Sequence, residues 1–343
     1  MVFIFTENSA GNGRDAYAWE GTGGGASPPE LHVYYNEKPA ASNNAGITVD
    51  EGSTGNIITS GMLSYTDPDD NDTTLIYTVK DAVDQGTLYN DTNANGYEAG
   101  EELELNDTFT QQDINDGDIK YDHNGSELAS DAFNFTVKDD GGAETSEATF
   151  NVTVNAVNDA PDLDNSGDMA FTAIDEDDTG NTGDLVSDII ASAGGDRITD
   201  VDAGAVEGIA VTARDNTNGQ WEFSTDNGGS WTAFGALADN SATLLTATAN
   251  DRVRFVPAAD WNGPVDPGVT FRAWDTTDGN NSGDTGIDVS TNGNATAYST
   301  AAETASITVN PVNDAPLLDN TGDMAFTAID EDDTGNTGDL VSD

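Results

Sequence analysis

The chain is 343 residues long and carries 64 acidic against 10 basic residues, a formal net charge of -54. The basic residues are spread from Arg14 to Arg272 without forming a patch, which disfavours nucleic acid and anionic lipid as partners. There is no cysteine to form a disulfide, and no apolar run approaches the length of a membrane span. The acid has two readings, a solvated surface that keeps a secreted chain soluble and a supply of oxygen ligands for a hard cation, chiefly calcium.

The length predicts two or three domains. Residues 1–38 read as the tail of a preceding β-sandwich module, with strands at Val2–Phe5, Ala16–Trp19 and Leu31–Tyr35. Met1–Phe5 lacks the charged start and long apolar core of a signal peptide, and an export signal is expected outside this stretch of a longer protein. Glu37–Gly46 has the composition of a linker. Residues 39–160 then form a first repeat. Its strands are expected at Ile47–Val49, Leu75–Val79, Thr87–Tyr89, Ile119–Tyr121, Phe133–Val137 and Thr149–Val154, and one helical turn is expected over Phe109–Ile114.

Residues 161–315 form a longer second repeat, with strands at Ile209–Thr212, Trp221–Phe223, Val253–Phe255, Val269–Trp274 and Ser306–Val309. Val157-Asn158-Asp159-Ala160-Pro161 recurs as Val312-Asn313-Asp314-Ala315-Pro316. After each copy the chain begins again. Residues 161–188 and 316–343 differ only at Asp162/Leu317 and Ser166/Thr321. The period suits a domain and is too long for a solenoid unit, so residues 316–343 read as the start of a third repeat and Asn-Asp-Ala-Pro as a junction. Alternating apolar runs separated by Gly, Asn and Asp predict an all-β chain of tandem Greek-key β-sandwich domains in an elongated array.

Several motifs carry a family resemblance. Leu63–Asp69, Gly86–Tyr89, Phe109–Gln111, Ile119–Glu127 and Phe133–Asp139 together resemble the cadherin-like repeat of chondroitin-sulphate-proteoglycan type. Phe255–Gly263 resembles the longer cadherin-like repeats of giant bacterial surface adhesins. These resemblances imply an extracellular or cell-surface location, tandem arrangement and calcium.

Laid over each other, the repeats share an acidic skeleton. Asp50-Glu51 matches Asp175-Glu176, Asp67-Pro68-Asp69 matches Asp200-Val201-Asp202, and Asp139 matches Asp275. Calcium takes six to eight oxygens in a flexible geometry, which such a mixture of carboxylates and amides can supply. By resemblance to cadherins, one junction would use Glu51, Asn158, Asp159, Asp200, Asp202 and Asp275. The next would use Glu176, Asn313 and Asp314. There is no counterpart of the cadherin Asp-Arg-Glu motif, which implies one or two ions per junction rather than three.

A second candidate site rests on spacing alone. Asp91, Asn93, Asn95, Gly96, the Tyr97 carbonyl and Glu102 follow the order of an EF-hand loop, although no flanking helices are evident. Ser224–Trp231 resembles the Asp-box hairpin, a structural turn. His123 reads as a packed or hydrogen-bonded residue. Nothing surrounds either histidine as a nucleophile would, and no enzymatic activity is expected.

Together these features predict a calcium-stiffened structural and adhesive region of a large bacterial surface protein, with other surface proteins or glycans as partners. The alternative is a calcium-dependent glycan-binding module of a larger secreted or surface enzyme, motivated by Trp221, Trp231, Trp261 and Trp274.

Overall fold

A computed structural model describes residues 35–341. The strands expected before Tyr35 lie outside the described residues. Two main apolar cores occur, one drawn from Ile47–Val154 and the other from Leu163–Val309, and a smaller cluster around Leu244, Trp274, Val289 and Tyr298 lies apart from both.

The first repeat opens with β1 (Ala40–Asn44), β2 (Ile47–Asp50), β3 (Asn56–Ile57) and β4 (Leu63–Thr66). β5 (Ile76–Asp81), β6 (Gly86–Asn90) and β7 (Thr108–Thr110) follow. A short helix, α1 (Gln111–Asp116), then leads into β8 (Ile119–His123), β9 (Ser130–Lys138) and β10 (Ala148–Asn155). One sheet has the order β2-β10-β9-β5-β7, a second β3-β8-β6, and β1 pairs with β4. Inward residues alternate with outward ones, as in β10, where Phe150, Val152 and Val154 are buried and Asn151 and Thr153 are exposed. Between the sheets Tyr65 meets Tyr77 edge-on at 5.8 Å and Phe109 stacks on Tyr77 at 4.9 Å. Each fully buried side chain of this kind contributes about 1.5–3 kcal/mol.

The expected helical turn is α1. Thr110 caps it by accepting from the Asp113 N–H, and Asp113 returns the bond to the Thr110 N–H at 2.7 Å. It ends at Gly117, whose φ of 81° suits a residue without a Cβ.

The second repeat begins with four two-residue strands, β11 (Asp162–Leu163), β12 (Met169–Ala170), β13 (Ile174–Asp175) and β14 (Asp184–Leu185). Helix α2 (Val186–Ala191) and β15 (Ile198–Thr199) precede β16 (Gly208–Arg214), β17 (Gly219–Ser224) and β18 (Thr232–Ala233). β19 (Ala242–Thr246), β20 (Arg252–Pro257), β21 (Gly263–Trp274), β22 (Thr285–Ile287) and β23 (Glu303–Asn310) complete it. The main sheet runs β12-β23-β21-β16-β19-β22, and a second runs β14-β20-β17-β18. The strands expected from alternation within the two repeats all fall on observed strands, with β2 and β6 at sheet edges. The two-residue pieces β3 and β11–β15 carry too few residues for a period to show, and β1, expected as linker, is a polar and largely exposed strand without an apolar alternation.

Both repeats open and close alike. β2 lies parallel to β10, and β13 lies parallel to β23. β1 meets β4 with Ala40 opposite Thr66, and β11 meets β15 with Asp162 opposite Thr199. Asn56 Nδ2 bonds the Tyr121 carbonyl at 2.9 Å, and Asn181 Nδ2 bonds the Phe255 carbonyl at 2.9 Å.

Residues 311–341 form no strand. Met324 and Phe326 are 81% and 89% exposed, whereas their counterparts Met169 and Phe171 are buried. No helix of the described residues is long and apolar enough to cross a membrane.

Candidate metal centre

The end of β2 and the segment after β10 meet at the junction. The parallel pairing of β2 with β10 carries Glu51 to the last turn before the linker, where Glu51 N–H bonds the Asn155 carbonyl at 2.9 Å. One Glu51 carboxylate oxygen accepts the Val157 N–H at 3.2 Å. The other is buried without a hydrogen-bond partner. The second repeat grips the chain from the other side. Asn158 Nδ2 donates to Asp275 Oδ2 at 3.0 Å, and Asp159 N–H donates to Asp202 Oδ2 at 2.7 Å. Asp202 N–H in turn donates to Asp200 Oδ1 at 2.8 Å, which leaves Asp200 Oδ2 buried and unpartnered.

Sequence reasoning missed one member. Glu127, in the connection from β8 to β9, brings its carboxylate to Glu51 and Asp159, so that one oxygen from each lies within 4.8 Å of the others. The absent Asp-Arg-Glu motif suggested a shortage of acid here. Register could have located Glu127, since it lies four residues past His123 at the end of β8.

The charges feel one another. Burial, then the hydrogen bond and charge of Glu51, push the Glu127 carboxyl up to about 7, and Asp202 and Asp159 act in the same direction. Burial, then the charges of Glu51 and Asp202, raise Asp159. Asp200 is raised chiefly by burial, against the bond from Asp202 N–H and with the charges of Asp202, Asp275 and Asp159. Among the described residues the ion pairs are Lys80–Glu144, Lys120–Asp91, Arg197–Asp164, Arg254–Glu222 and Arg272–Asp239, and none is at the junction. A group of repelling carboxylates with orphaned buried oxygens and no protein cation suits a divalent cation. Oxygens up to 4.8 Å apart are compatible with ligands about 2.3–2.6 Å from one calcium ion.

The amino-terminal pole of the first repeat has the same arrangement. Asn36 Nδ2 donates to Asp139 Oδ2 at 3.0 Å, and Glu37 N–H donates to Asp69 Oδ1 at 3.2 Å. Asp67 Oδ1 accepts from Asp69 N–H at 3.0 Å, and Asp67 Oδ2 is buried and unpartnered like Asp200 Oδ2. Asn36-Glu37-Lys38-Pro39 is therefore a third copy of the linker. Its divergence from Asn-Asp-Ala-Pro hid it, and it stands where the sequence suggested only linker composition.

The next junction is alike on one side. Glu176 accepts the Val312 N–H, and its N–H bonds the Asn310 carbonyl at 3.0 Å. Its second oxygen accepts from Asn262 Nδ2 at 2.9 Å, an amide that holds the carboxyl low. Asp314 is pushed up, first by the charge of Asp260.

The loop of Asp91, Asn93, Asn95, Tyr97 and Glu102 forms a hairpin end closed by the Asn90 N–H bond to Glu101 O at 3.0 Å. Its amino-terminal half is shaped as the spacing suggested. Asp91 is fully buried and accepts from Asn95 N–H at 3.1 Å and Gly96 N–H at 3.0 Å. At the expected cation position Lys120 Nζ sits on Asp91 Oδ2 at 2.6 Å. Glu102 is engaged within the loop, accepting from the Tyr97 hydroxyl and the Gly100 N–H.

The tryptophans behind the glycan alternative are occupied with packing. Trp221 and Trp274 are fully buried, Arg254 covers the Trp231 ring at 4.1 Å, and Trp261 packs edge-on against Phe255. His123 is buried, and its Nδ1 accepts the Gly52 and Gly125 N–H groups at 3.1 and 3.2 Å. The Asp-box segment is a closed turn in which Asp226 binds Ser224 and Ser230.

Residues 39–154 match the family model described as cadherin-like. The chain is 35% identical over 108 residues to extracellular matrix protein 3 of Lytechinus variegatus, which covers 29% of this chain and 3% of that protein. Among solved structures, Drosophila N-cadherin EC1-4 is similar over 80% of this chain and 50% of its own, at 12% identity and a TM-score of 0.42. The endo-fucoidan hydrolase MfFcnA4 covers 80% of this chain and 29% of its own, at 12% identity and a TM-score of 0.22. Residues 39–154 are thus similar to the cadherin-like family, and the chain as a whole is all-β, built of β-sandwiches.

Proposed function

We propose that this chain is a calcium-stiffened extracellular repeat region of a large surface or matrix protein, acting as a structural extender and adhesion module. A bacterial surface is the setting implied by the resemblance of the second repeat. The observation that carries the calcium reading is the pair of buried, unpartnered oxygens, Glu51 Oε1 and Asp200 Oδ2. They flank a junction where Glu51, Glu127 and Asp159 converge.

Glu51, Glu127, Asp159, Asp200, Asp202 and Asp275 would hold the ion, with the free amide oxygen of Asn158 beside them. A bound calcium supplies positive charge to carboxylates that otherwise repel across the hinge. The residues themselves set its direction. Asn158 and Asp159 are pinned by hydrogen bonds to the second repeat, whereas Glu51 and Glu127 belong to the first. A cation shared among them ties the two bodies together and restricts bending.

Small-angle scattering of the chain in calcium and then in chelator tests this reading. The expected result is a longer maximum dimension and a higher melting temperature with calcium, and Asp159→Ala abolishes both changes. An unchanged dimension and midpoint in the unmutated chain would reject it.

A further inference from the structure

The loop after β6 binds a cation that belongs to the chain. Side chains alternate along a strand, so Asp91 lies on the same face as Tyr89. Tyr89 pairs with Lys120 across the ladder, and the long lysine side chain reaches the aspartate diagonally. Its ammonium ends 2.6 Å from Asp91 Oδ2, and the lysine side chain is 15% exposed against 0% for the aspartate. Asn95 and Gly96 direct their N–H groups at the same carboxylate, and Asn93 Oδ1 accepts from Asn95 N–H at 3.1 Å. This is the ligand-side half of a cation loop, folded about an ammonium.

We infer that Lys120 is a resident cation that takes the place of a divalent metal in the 91–102 loop, and that this lysine decides the loop's metal independence. The inference is separate from the junction reading, which uses other residues.

The chemistry supports the exchange of roles. A primary ammonium is a compact point charge with three donors and no acceptor, and it satisfies a buried carboxylate as a small cation would. Because it is covalently attached, its effective concentration at Asp91 is high and does not depend on the medium. A divalent ion would have to displace it, and Glu102 would have to leave the Tyr97 hydroxyl and the Gly100 N–H. With the ammonium present, metal and lysine repel at one carboxylate. With it removed, Asp91, Asn93, Asn95 and the neighbouring Glu98, Glu101 and Glu102 are oxygen donors with no internal counter-charge.

Tyr97 lies in the loop, is 43% exposed and packs against Tyr89 at 5.5 Å, which makes it a sensitiser for terbium bound there. The experiment titrates terbium into the whole chain as unmutated protein, Lys120→Met and Lys120→Arg, each with and without Tyr97→Phe. The signal lost with Tyr97→Phe is the signal of this loop. The unmutated chain and Lys120→Arg are expected to give none, and Lys120→Met is expected to give one that calcium competes away at about 10⁻⁴–10⁻³ M, as for extracellular modules. Lys120→Met should also melt at a lower temperature in chelator and recover with calcium, whereas Lys120→Arg should melt near the unmutated chain and not respond at this site. A Tyr97-dependent signal in the unmutated chain as strong as in Lys120→Met would overturn the inference. So would a Lys120→Met chain with unchanged far-ultraviolet dichroism and no such signal.

Discussion

Asn158 Nδ2 and Asp275 Oδ2 are 3.0 Å apart, the same separation as Asn36 Nδ2 and Asp139 Oδ2 one repeat earlier. An amide-to-carboxylate bond thus seats these two linkers on the domain that follows. The backbone bond from the next residue, Asp159 to Asp202 or Glu37 to Asp69, fixes the orientation. These two linkers are therefore tied to the following repeat, and across the Asn158 junction the facing group is Glu51 of the preceding one.

Glu127→Gln separates charge from packing at the junction. Without a cation, Glu127 repels Glu51 and Asp159, and the amide removes that repulsion. In chelator at neutral pH the variant should melt higher than the unmutated chain. In calcium it should gain less, because one ligand charge is gone. Saturation at about 100 times the dissociation constant adds about 2.7 kcal/mol to a state that binds one ion, and scanning calorimetry over a calcium series should show that increment shrink. Equal shifts in both proteins would place Glu127 outside the site.

The same carboxyl gives a pH dependence whose sign is fixed. Glu127 is raised to about 7 in the folded chain, above its ordinary value of 4.5, so between these values the folded state binds more protons than the unfolded one. Stability then falls as pH rises through that window. In chelator the melting temperature should decline from about pH 5 to about pH 7.5. Calcium competes with the proton, so its stabilising increment should grow over the same range. A chelated chain whose midpoint climbs through this window would contradict the arrangement.

The two cores should melt separately. Trp221 is fully buried among Phe171 and Phe255, at ring distances of 4.7 and 5.0 Å, and has no counterpart in the first core. Trp221→Ala should cost the second repeat about 3–5 kcal/mol. In chelator, calorimetry should show one transition moved down and the other unmoved. A joint shift would mean that the repeats unfold as one unit.

Much of the fold was legible in the sequence because long strands advertise their period. Phe133–Val137 and Thr149–Val154 alternate cleanly, and both lie within the observed strands. The opening strands were not legible, because two-residue pieces such as Met169–Ala170 have no period and are defined by the partner strand. At the junction, the acidic positions shared by both repeats led to Glu51, Asp200, Asp202 and Asp275. Glu127 escaped because the second repeat has no acid there that binds Glu176, which meets Asn262 instead. Asp91 was recognised from spacing, but Lys120 lies 29 residues further on and only the pairing of β6 with β8 brings it alongside.

The duplicated opening segment has a consequence for how such an array is made. Thr172 N–H bonds Asp184 and Asn181 bonds the Asp178 carbonyl, and Thr327 with Asp339 and Asn336 with Asp333 repeat these contacts without a surrounding sandwich. These contacts close within the segment itself. Residues 161–188 and 316–343 carry nearly the same piece of sequence. Faithful assembly then rests on tethering. Each segment must close on its own strands before its neighbour's become available, and repeats that share sequence are the ones in which misassembly between neighbours is the characteristic failure.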